Sequence, residues 1–235
     1  MTKIDVAVCA PHPDDAELFC GGVLLKLKKQ GYRTAIADMT RGELGTRGSA
    51  EQRAREAQKA SAILQVDQRV NLNIDDGRVT VNEANKEKVI RLLRDWRPAI
   101  ILAPFHEDRH PDHVHTSRLI SEAVFFSGLP KWDTGQPPWR PRQIIYYFMH
   151  HQEKPSFIVD ISDEFAQKME AVRAYGSQFH NPDSKEPATY ISDPAFLKNV
   201  ETRAAWYGFQ IGVEYGEPFF VKSPVRVNNL LKQFT

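Results

Sequence analysis

The stretch of sequence that decides the fold is IDVAVCAPHPDDAE, residues 4–17. Its first half, residues 4–10, is a predominantly apolar run that predicts a buried strand, and the apolar spacing of residues 18–29 predicts a helix. The loop between them contains an imidazole and two adjacent carboxylates, and prolines stiffen its turn. Open α/β sheets place their chemistry in such loops, so this loop is the first candidate for a functional site.

The same arrangement occurs again in the middle of the chain. Residues 99–104 form another apolar run typical of a central parallel strand, and residues 114–126 have helical spacing. The loop between them, FHEDRHPDH at residues 105–113, is again rich in histidine and aspartate. The carboxyl ends of parallel strands meet at one edge of a sheet, so we expect the two loops to converge despite their separation in sequence.

The order of elements and the length of the chain predict one α/β domain with a mostly parallel central sheet. A length of 235 residues permits two domains but does not require them. The sequence shows no repeat of fixed period, no low-complexity tract and no linker. We therefore predict a single domain over residues 1–235.

Composition excludes several classes of partner. The net charge of +1 argues against electrostatic recruitment to nucleic acid or to a membrane surface. No apolar run approaches the roughly 20 residues that cross a bilayer, and the N-terminal residues lack a signal-peptide pattern. Cys9 and Cys20 both fall in predicted buried elements, which argues against a disulfide scaffold. We expect a cytoplasmic protein with a small-molecule substrate.

Three side chains of the two loops have the chemistry of a metal site. His12, Asp15 and His113 would provide two imidazole nitrogens and a carboxylate, which leaves a fourth tetrahedral position for water. Metal binding lowers the pKa of such a water to about 7, so that hydroxide forms at neutral pH. Asp14 cannot easily share the metal and would act as the general base, which typically contributes roughly 10²- to 10⁴-fold to the rate. The same ligands suit Zn²⁺, Fe²⁺ and Co²⁺.

Two further groups complete the parts of metal-assisted amide hydrolysis. His110, as an imidazolium, would stabilise the oxyanion and protonate the leaving amine. Asp112 would either hold His110 in its charged form or cap the following helix. We interpret His150-His151 as a surface pair and His180 as a residue of the pocket rim or a chance echo of the first loop.

Two other functions use the same residues. One is a metal-dependent esterase or phosphoesterase, although two-metal phosphoesterases usually need more bridging carboxylates than these loops supply. The other is a non-catalytic module that binds metal or sugar. Such a module has no use for Asp14 and His110 beside a complete ligand set.

The two loops resemble the motifs of a known family. His12-Pro13-Asp14-Asp15 and His110-Pro111-Asp112-His113 are similar to the two motifs of the LmbE/PIG-L family of zinc-dependent N-acetylglucosamine deacetylases. The resemblance implies a Rossmann-like three-layer α/β fold and one zinc ion on His12, Asp15 and His113. It also implies Asp14 as the general base, His110 as the group that stabilises the oxyanion, and a homo-oligomer, often a hexamer.

A narrower resemblance concerns the substrate. Further stretches are similar to the branch of the family that deacetylates N-acetylglucosaminyl malate in bacillithiol biosynthesis, namely residues 40–48, 107–113, 175–179, 185–187, 189–192 and 212–215. Other N-acetylglucosamine derivatives and chitooligosaccharides are the alternative substrates. Relatives of the mycothiol branch carry a tyrosine just before the second motif, where this chain has residues 107–109, so that help in polarising the carbonyl must come from His110, Arg109 or elsewhere.

Recognition of malate predicts arginines in the pocket. The planar guanidinium group forms paired hydrogen bonds to a carboxylate, which favours arginine over lysine for this task. The candidates are Arg53, Arg109 and Arg140. Glu43, in the glycine-rich loop of residues 40–48, is the candidate for accepting hydrogen bonds from sugar hydroxyls.

Overall fold

The computed structural model describes residues 3–229 and residue 231. In chain order its strands are β1 (Val6–Ala10), β2 (Thr34–Asp38), β3 (Gln68–Asn71), β4 (Ile100–Pro104), β5 (Gln143–Tyr147), β6 (Phe157–Asp160) and β7 (Gly216–Phe220). Its helices are α1 (Asp15–Lys29), α2 (Ala50–Leu64), α3 (Glu83–Trp96), α4 (Pro111–Ser127), α5 (Phe165–Arg173) and α6 (Pro194–Ile211). Short 3-10 turns form at Ser162–Glu164 and Tyr190–Ser192.

The strands form one sheet in the order β3-β2-β1-β4-β5-β7-β6. The first five strands of that order are parallel, and β7 runs antiparallel to both of its neighbours. Val8 of β1 pairs with Ile36 on one side and with Leu102 on the other. The prediction of a Rossmann-like α/β fold with a mostly parallel central sheet is confirmed.

Helices cover both faces of the sheet, which explains why the first strand is an unbroken apolar run. Val6, Val8 and Ala10 belong to the hydrophobic core that includes side chains of α1, α2 and α5. Ala7 and Cys9 belong to the core on the other face, with α3 and α4. All five side chains are buried, as expected for a strand with no solvent-facing side.

Two helices begin earlier than the sequence predicted. The first was expected from residue 18 and begins at Asp15, and the one expected from residue 114 begins at Pro111. The first turn of each is polar or contains proline, so the apolar spacing starts only in the second turn. Proline suits the first helical position, and acidic residues in the first turn are favourable to the helix dipole. The site loops are therefore partly helix N-termini.

The strand order reverses at β1, which has β2 on one side and β4 on the other. Ligands of open α/β sheets bind outside the carboxyl ends of the strands at such a reversal. The loops after β1 and β4 are neighbours there, as the sequence predicted.

Two features agree with the composition. Cys9 and Cys20 are buried free thiols. Among the described residues, none of the helices has the length and apolar character that crossing a membrane requires.

Candidate active site

Residues from the two loops meet at the carboxyl edge of the sheet. Oδ2 of Asp15 lies 3.2 Å from Nδ1 of His12 and 3.7 Å from Nε2 of His113. One ligand atom from each residue lies within 4.8 Å of the others, and all three residues are buried. The convergence predicted from the loops is therefore present in the structure.

In His12 and His113 the outer ring nitrogen, which is the one that does not face Asp15, contacts a further carboxylate. Nε2 of His12 lies 3.1 Å from Oδ1 of Asp76, and Nδ1 of His113 lies 2.9 Å from Oδ1 of Asp108. An ionised carboxylate only accepts hydrogen bonds, so each pair places the ring proton on the outer nitrogen. In His113 this leaves the Nε2 lone pair on the side of Asp15. In His12 the other nitrogen, Nδ1, also contacts a carboxylate, Asp15 Oδ2 at 3.2 Å, and it becomes a metal ligand when the metal displaces a proton there.

This donor set fits a metal ion. Zinc takes imidazole nitrogen and carboxylate oxygen, and catalytic sites use three protein ligands. Histidine ligands commonly donate their other ring proton to a carboxylate, as His12 and His113 do here.

A second set of possible ligands shares His12. Ligand atoms of His12, His110 and Asp112 also lie within 4.8 Å of one another. Both oxygens of Asp112 already accept backbone N–H groups, from Gly77 at 2.7 Å and Val79 at 3.3 Å. Among the described residues, Asp15 accepts a backbone N–H on Oδ2 alone, from His12 at 3.0 Å, so the set with Asp15 is the better candidate for the metal.

Asp14 lies beside this set in an unusual backbone conformation. Its φ of 111° is a region that residues other than glycine rarely adopt. Burial raises the pKa of its carboxyl to about 7, and the opposing effect of the Arg53 guanidinium, 3.3 Å from Oδ2, is smaller. The residue thus combines backbone strain with a carboxyl that exchanges protons near neutral pH.

His110 lies against the other two rings of the site. Its ring centroid is 4.6 Å from that of His113 and 4.8 Å from that of His12. Burial and the neighbouring histidines lower its pKa, which favours the neutral imidazole. Its Nδ1 accepts the N–H of Asp112 at 3.2 Å, so a neutral ring carries its proton on Nε2.

The carboxylate of Asp112 contacts groups other than those that the sequence predicted. The sequence suggested that it either holds His110 in its charged form or caps the helix. The group that caps α4 is the side chain of His110. The Asp112 carboxylate instead accepts the backbone N–H groups of residues 77 and 79. Its Oδ2 also lies 3.6 Å from Nε2 of His12. Among the hydrogen bonds of the described residues, none joins the Asp112 carboxylate to the His110 ring.

A cavity of about 460 Å³ opens over these residues. Its lining includes metal-site residues, the glycine-rich loop and the segment around the second 3-10 turn, among them His12, Asp14, Asp15, Leu44, Gly45, Thr46, Arg53, Asp76, Arg109, His110, His113, His150, Gln178, Thr189 and Tyr190. His150 was interpreted as part of a surface pair; this was wrong, because its ring is half-buried and stacks 5.8 Å from that of His113. His180 is exposed and does not line this cavity.

The four predicted substrate-binding residues have different positions. Arg109 lines the cavity, with its guanidinium 4.2 Å from the ring centroid of Tyr190. Arg53 also lines it, but is occupied by Asp14 and by the carbonyls of residues 13 and 42. Glu43 is not in the lining, since its carboxylate accepts the N–H groups of residues 41 and 76.

The structure does not bring Arg140 to the cavity of its own chain. Its guanidinium donates to the carbonyl of Phe125 at 2.7 Å and lies over the ring of that residue, near the C-terminal end of α4. A helix of 17 residues is about 25 Å long, and α4 begins at the site, so its far end lies near the opposite edge of the sheet.

Sequence analysis missed the carboxylates that contact the outer nitrogens. Asp76, in an Asp-Gly pair typical of a turn, was given no role in the site, and Asp108 was noted only within residues 107–109, where relatives of the mycothiol branch carry a tyrosine. Asp108 lies two residues before the second motif, and that position was the available signal. For Asp76, 64 residues from His12, the sequence offers no comparable signal.

Two buried imidazoles and a carboxylate, beside a further carboxylate at the carboxyl edge of a Rossmann-like sheet, define a metal-dependent hydrolase. The chain matches the family model described as PIG-L, GlcNAc-PI de-N-acetylase, over residues 7–124. It is also 31% identical over 222 residues to a diacetylchitobiose deacetylase of Thermococcus kodakarensis, covering 88% of this chain and 79% of that protein. The chain belongs to the PIG-L family and is an N-deacetylase, a hydrolase that cleaves an amide bond.

Two solved structures are similar to this one over most of their length. The conserved protein TT1542 from Thermus thermophilus has 38% sequence identity and a TM-score of 0.88, with 97% of this chain and 98% of that chain covered. The N,N'-diacetylchitobiose deacetylase from Pyrococcus horikoshii has 30% identity and a TM-score of 0.81, with 92% of this chain and 83% of that chain covered.

Proposed function

We propose that the protein is a zinc-dependent deacetylase that removes the N-acetyl group from an N-acetylglucosamine conjugate. The observation that carries the proposal is the buried set His12, Asp15 and His113 with Asp14 at its side. The conjugate we favour is N-acetylglucosaminyl malate of bacillithiol biosynthesis. A cytoplasmic location, a single domain and a homo-oligomer, in particular a hexamer, belong to the same proposal and rest on sequence and family resemblance.

In this proposal the residues of the site divide the work. His12, Asp15 and His113 would hold a zinc ion, which would lower the pKa of a bound water and polarise the acetyl carbonyl. Asp14 takes the proton of the attacking water, because burial raises the pKa of its carboxyl and makes it a stronger base, an effect that the zinc charge would partly oppose. The same carboxyl then gives that proton to the amine nitrogen as the C–N bond breaks.

His110 has a narrower task than the sequence suggested. Its lowered pKa favours the neutral ring, which can donate from Nε2 but is a poor proton source. Zinc bound nearby would lower the pKa further, because it adds positive charge. His110 therefore stabilises the oxyanion as a hydrogen-bond donor, and proton delivery to the amine falls to Asp14.

Arg109 and Tyr190 support an acidic substituent on the sugar. Both side chains are exposed at the rim of the cavity, and the guanidinium lies over the ring. No ion pair with a carboxylate involves Arg109 among the described residues, so its charge is open to a substrate carboxylate. Charge complementarity therefore favours a malate conjugate.

A neutral chitooligosaccharide is the second candidate. Two relatives at about 30% identity are named diacetylchitobiose deacetylases. The exposed Tyr190 ring offers apolar surface that does not require a charged ligand.

Acetate release tests the proposal and separates the candidates. Zinc-loaded enzyme is expected to deacetylate N-acetylglucosaminyl malate faster than diacetylchitobiose or N-acetylglucosamine. Replacing Arg109 by methionine is expected to lower kcat/KM for the malate conjugate roughly 10- to 100-fold, the value of a charge-assisted hydrogen bond, and to spare the neutral sugars. The control is Arg118→Met, which removes an exposed arginine of α4 that does not line the cavity.

Other results would contradict parts of the proposal. Equal rates on the malate conjugate and diacetylchitobiose, unchanged in the Arg109 variant, would favour the neutral substrate. Phosphate release from phosphoesters without acetate release would favour the phosphoesterase. Sugar binding without any hydrolysis would favour the binding module.

A further inference from the structure

Asp108 accepts four N–H groups from two segments of the chain, the start of α4 and the loop after β5. Its Oδ1 lies 2.9 Å from the backbone nitrogen of His110 and 2.9 Å from Nδ1 of His113. Its Oδ2 lies 2.8 Å from the backbone nitrogen of His150 and 3.3 Å from that of His151. The side chain is only 2% exposed, so these contacts replace nearly all of its hydration.

The four donors leave Asp108 no role as a proton carrier. An ionised carboxylate offers about four lone-pair positions, and each oxygen here serves two N–H groups. The four N–H groups use the acceptor capacity of both oxygens, so the carboxylate acts as a hydrogen-bond acceptor only.

From these contacts we propose that Asp108 is a positioning residue that fixes His113 for the metal and couples the loop after β5 to metal binding. The inference rests on the proposed function for the identity of His113 as a ligand. Acceptance of the Nδ1 proton leaves the lone pair on Nε2, which lies on the side of Asp15. The negative charge also makes the imidazole a stronger ligand.

The second half of the inference concerns the wall of the cavity. His150 lines the cavity, and its ring stacks on that of His113 at 5.8 Å with an interplanar angle of 13°. The backbone of His150 and the ring of His113 are held by the two oxygens of one carboxylate. Metal binding that immobilises His113 should therefore also stabilise the peptide at residues 150 and 151, and loss of that anchor should weaken metal binding.

Two variants test Asp108. Asp108→Asn keeps the shape of the side chain but leaves only one acceptor oxygen. In either orientation of the amide, its NH₂ group then faces N–H donors with which it cannot form hydrogen bonds. Asp108→Ser removes the carboxylate and leaves room for water, which keeps the test valid if the asparagine variant does not fold. The control Asp67→Asn alters a carboxylate that accepts the N–H of Thr34 at 2.9 Å, before the start of β3.

Zinc affinity, measured by competition with a chromophoric chelator, is the first readout. Both Asp108 variants are expected to bind zinc about 10- to 100-fold more weakly than wild type, as for other partners of metal-bound histidines. The Asp67 variant is expected to bind zinc as wild type does. Wild-type affinity in a folded Asp108 variant, or an equal loss in the Asp67 variant, would overturn the inference.

Hydrogen exchange is the second readout. In the wild type, zinc is expected to slow amide exchange at residues 150 and 151, and in the Asp108 variants it should not. Zinc-independent exchange in the wild type would overturn the coupling. Neither readout uses a sugar substrate, so failure of the enzyme to release acetate would contradict the proposed function and leave the test of Asp108 intact.

Discussion

Replacing Asp14 by asparagine is expected to lower kcat by about 10²- to 10⁴-fold while zinc stays bound. Asparagine keeps the size of the side chain and tolerates positive φ better than most residues, but it cannot accept and return a proton. The measurement is acetate release at saturating substrate, together with the zinc content of the same sample. Because Asp14 is not in the ligand set, zinc content should remain at one ion per chain.

The control for this variant lies in the loop that contains Asp76. Asp75 is exposed and does not line the cavity, so Asp75→Asn should retain wild-type turnover. Turnover of the Asp14 variant within about fivefold of wild type would show that another group accepts the proton, since a base contributes far more than that. Loss of zinc from the Asp14 variant would instead place Asp14 among the ligands.

Replacing His113 by alanine is expected to abolish turnover through loss of the metal. Removing one of three protein ligands should weaken zinc binding by more than the roughly 10- to 100-fold expected when a carboxylate that contacts a ligand histidine is lost. The variant removes the imidazole whose Nε2 lies 3.7 Å from the Asp15 carboxylate, and alanine offers no ligand atom in its place. Chelator competition gives the affinity, and added zinc in the assay shows whether activity returns.

His115→Ala provides the matched control, because His115 is an exposed histidine two residues further along α4. It should retain both zinc and turnover. A His113 variant that keeps zinc and turnover would favour the alternative ligand set of His12, His110 and Asp112.

The fold and the inner part of the site could be predicted from the sequence for a common reason. A strand buried on both faces is an unbroken apolar run, and the residues after it must lie at the carboxyl edge of the sheet. The loops after β1 and β4 therefore had to be neighbours once both strands were taken as parallel. Their histidines and aspartates then gave His12, Asp15 and His113 as one cluster.

The rest of the site depends on contacts that periodicity does not encode. Asp76 reaches His12 from a turn after β3, and His150 reaches His113 from the loop after β5. The chemistry of the arginine side chain also could not show which of the predicted arginines would be free to bind the substrate. Arg53 faces the cavity but is paired with Asp14, whereas Arg140 lies beyond the far end of α4. Burial and existing partners decide which charges remain for a substrate.

The backbone of Asp14 has a consequence for the stability of the enzyme. A residue held at a φ of 111° carries strain of the order of 1–3 kcal/mol, and glycine would not. We expect Asp14→Gly to unfold at higher urea concentration than Asp14→Ala, by roughly 1–3 kcal/mol in the free energy of unfolding. Both variants deprive Arg53 of the same carboxylate, so the difference isolates the backbone. Equal stability of the two would show that the loop relaxes. A more stable glycine variant would show that the protein holds its proton acceptor in a backbone conformation that lowers its resistance to denaturation.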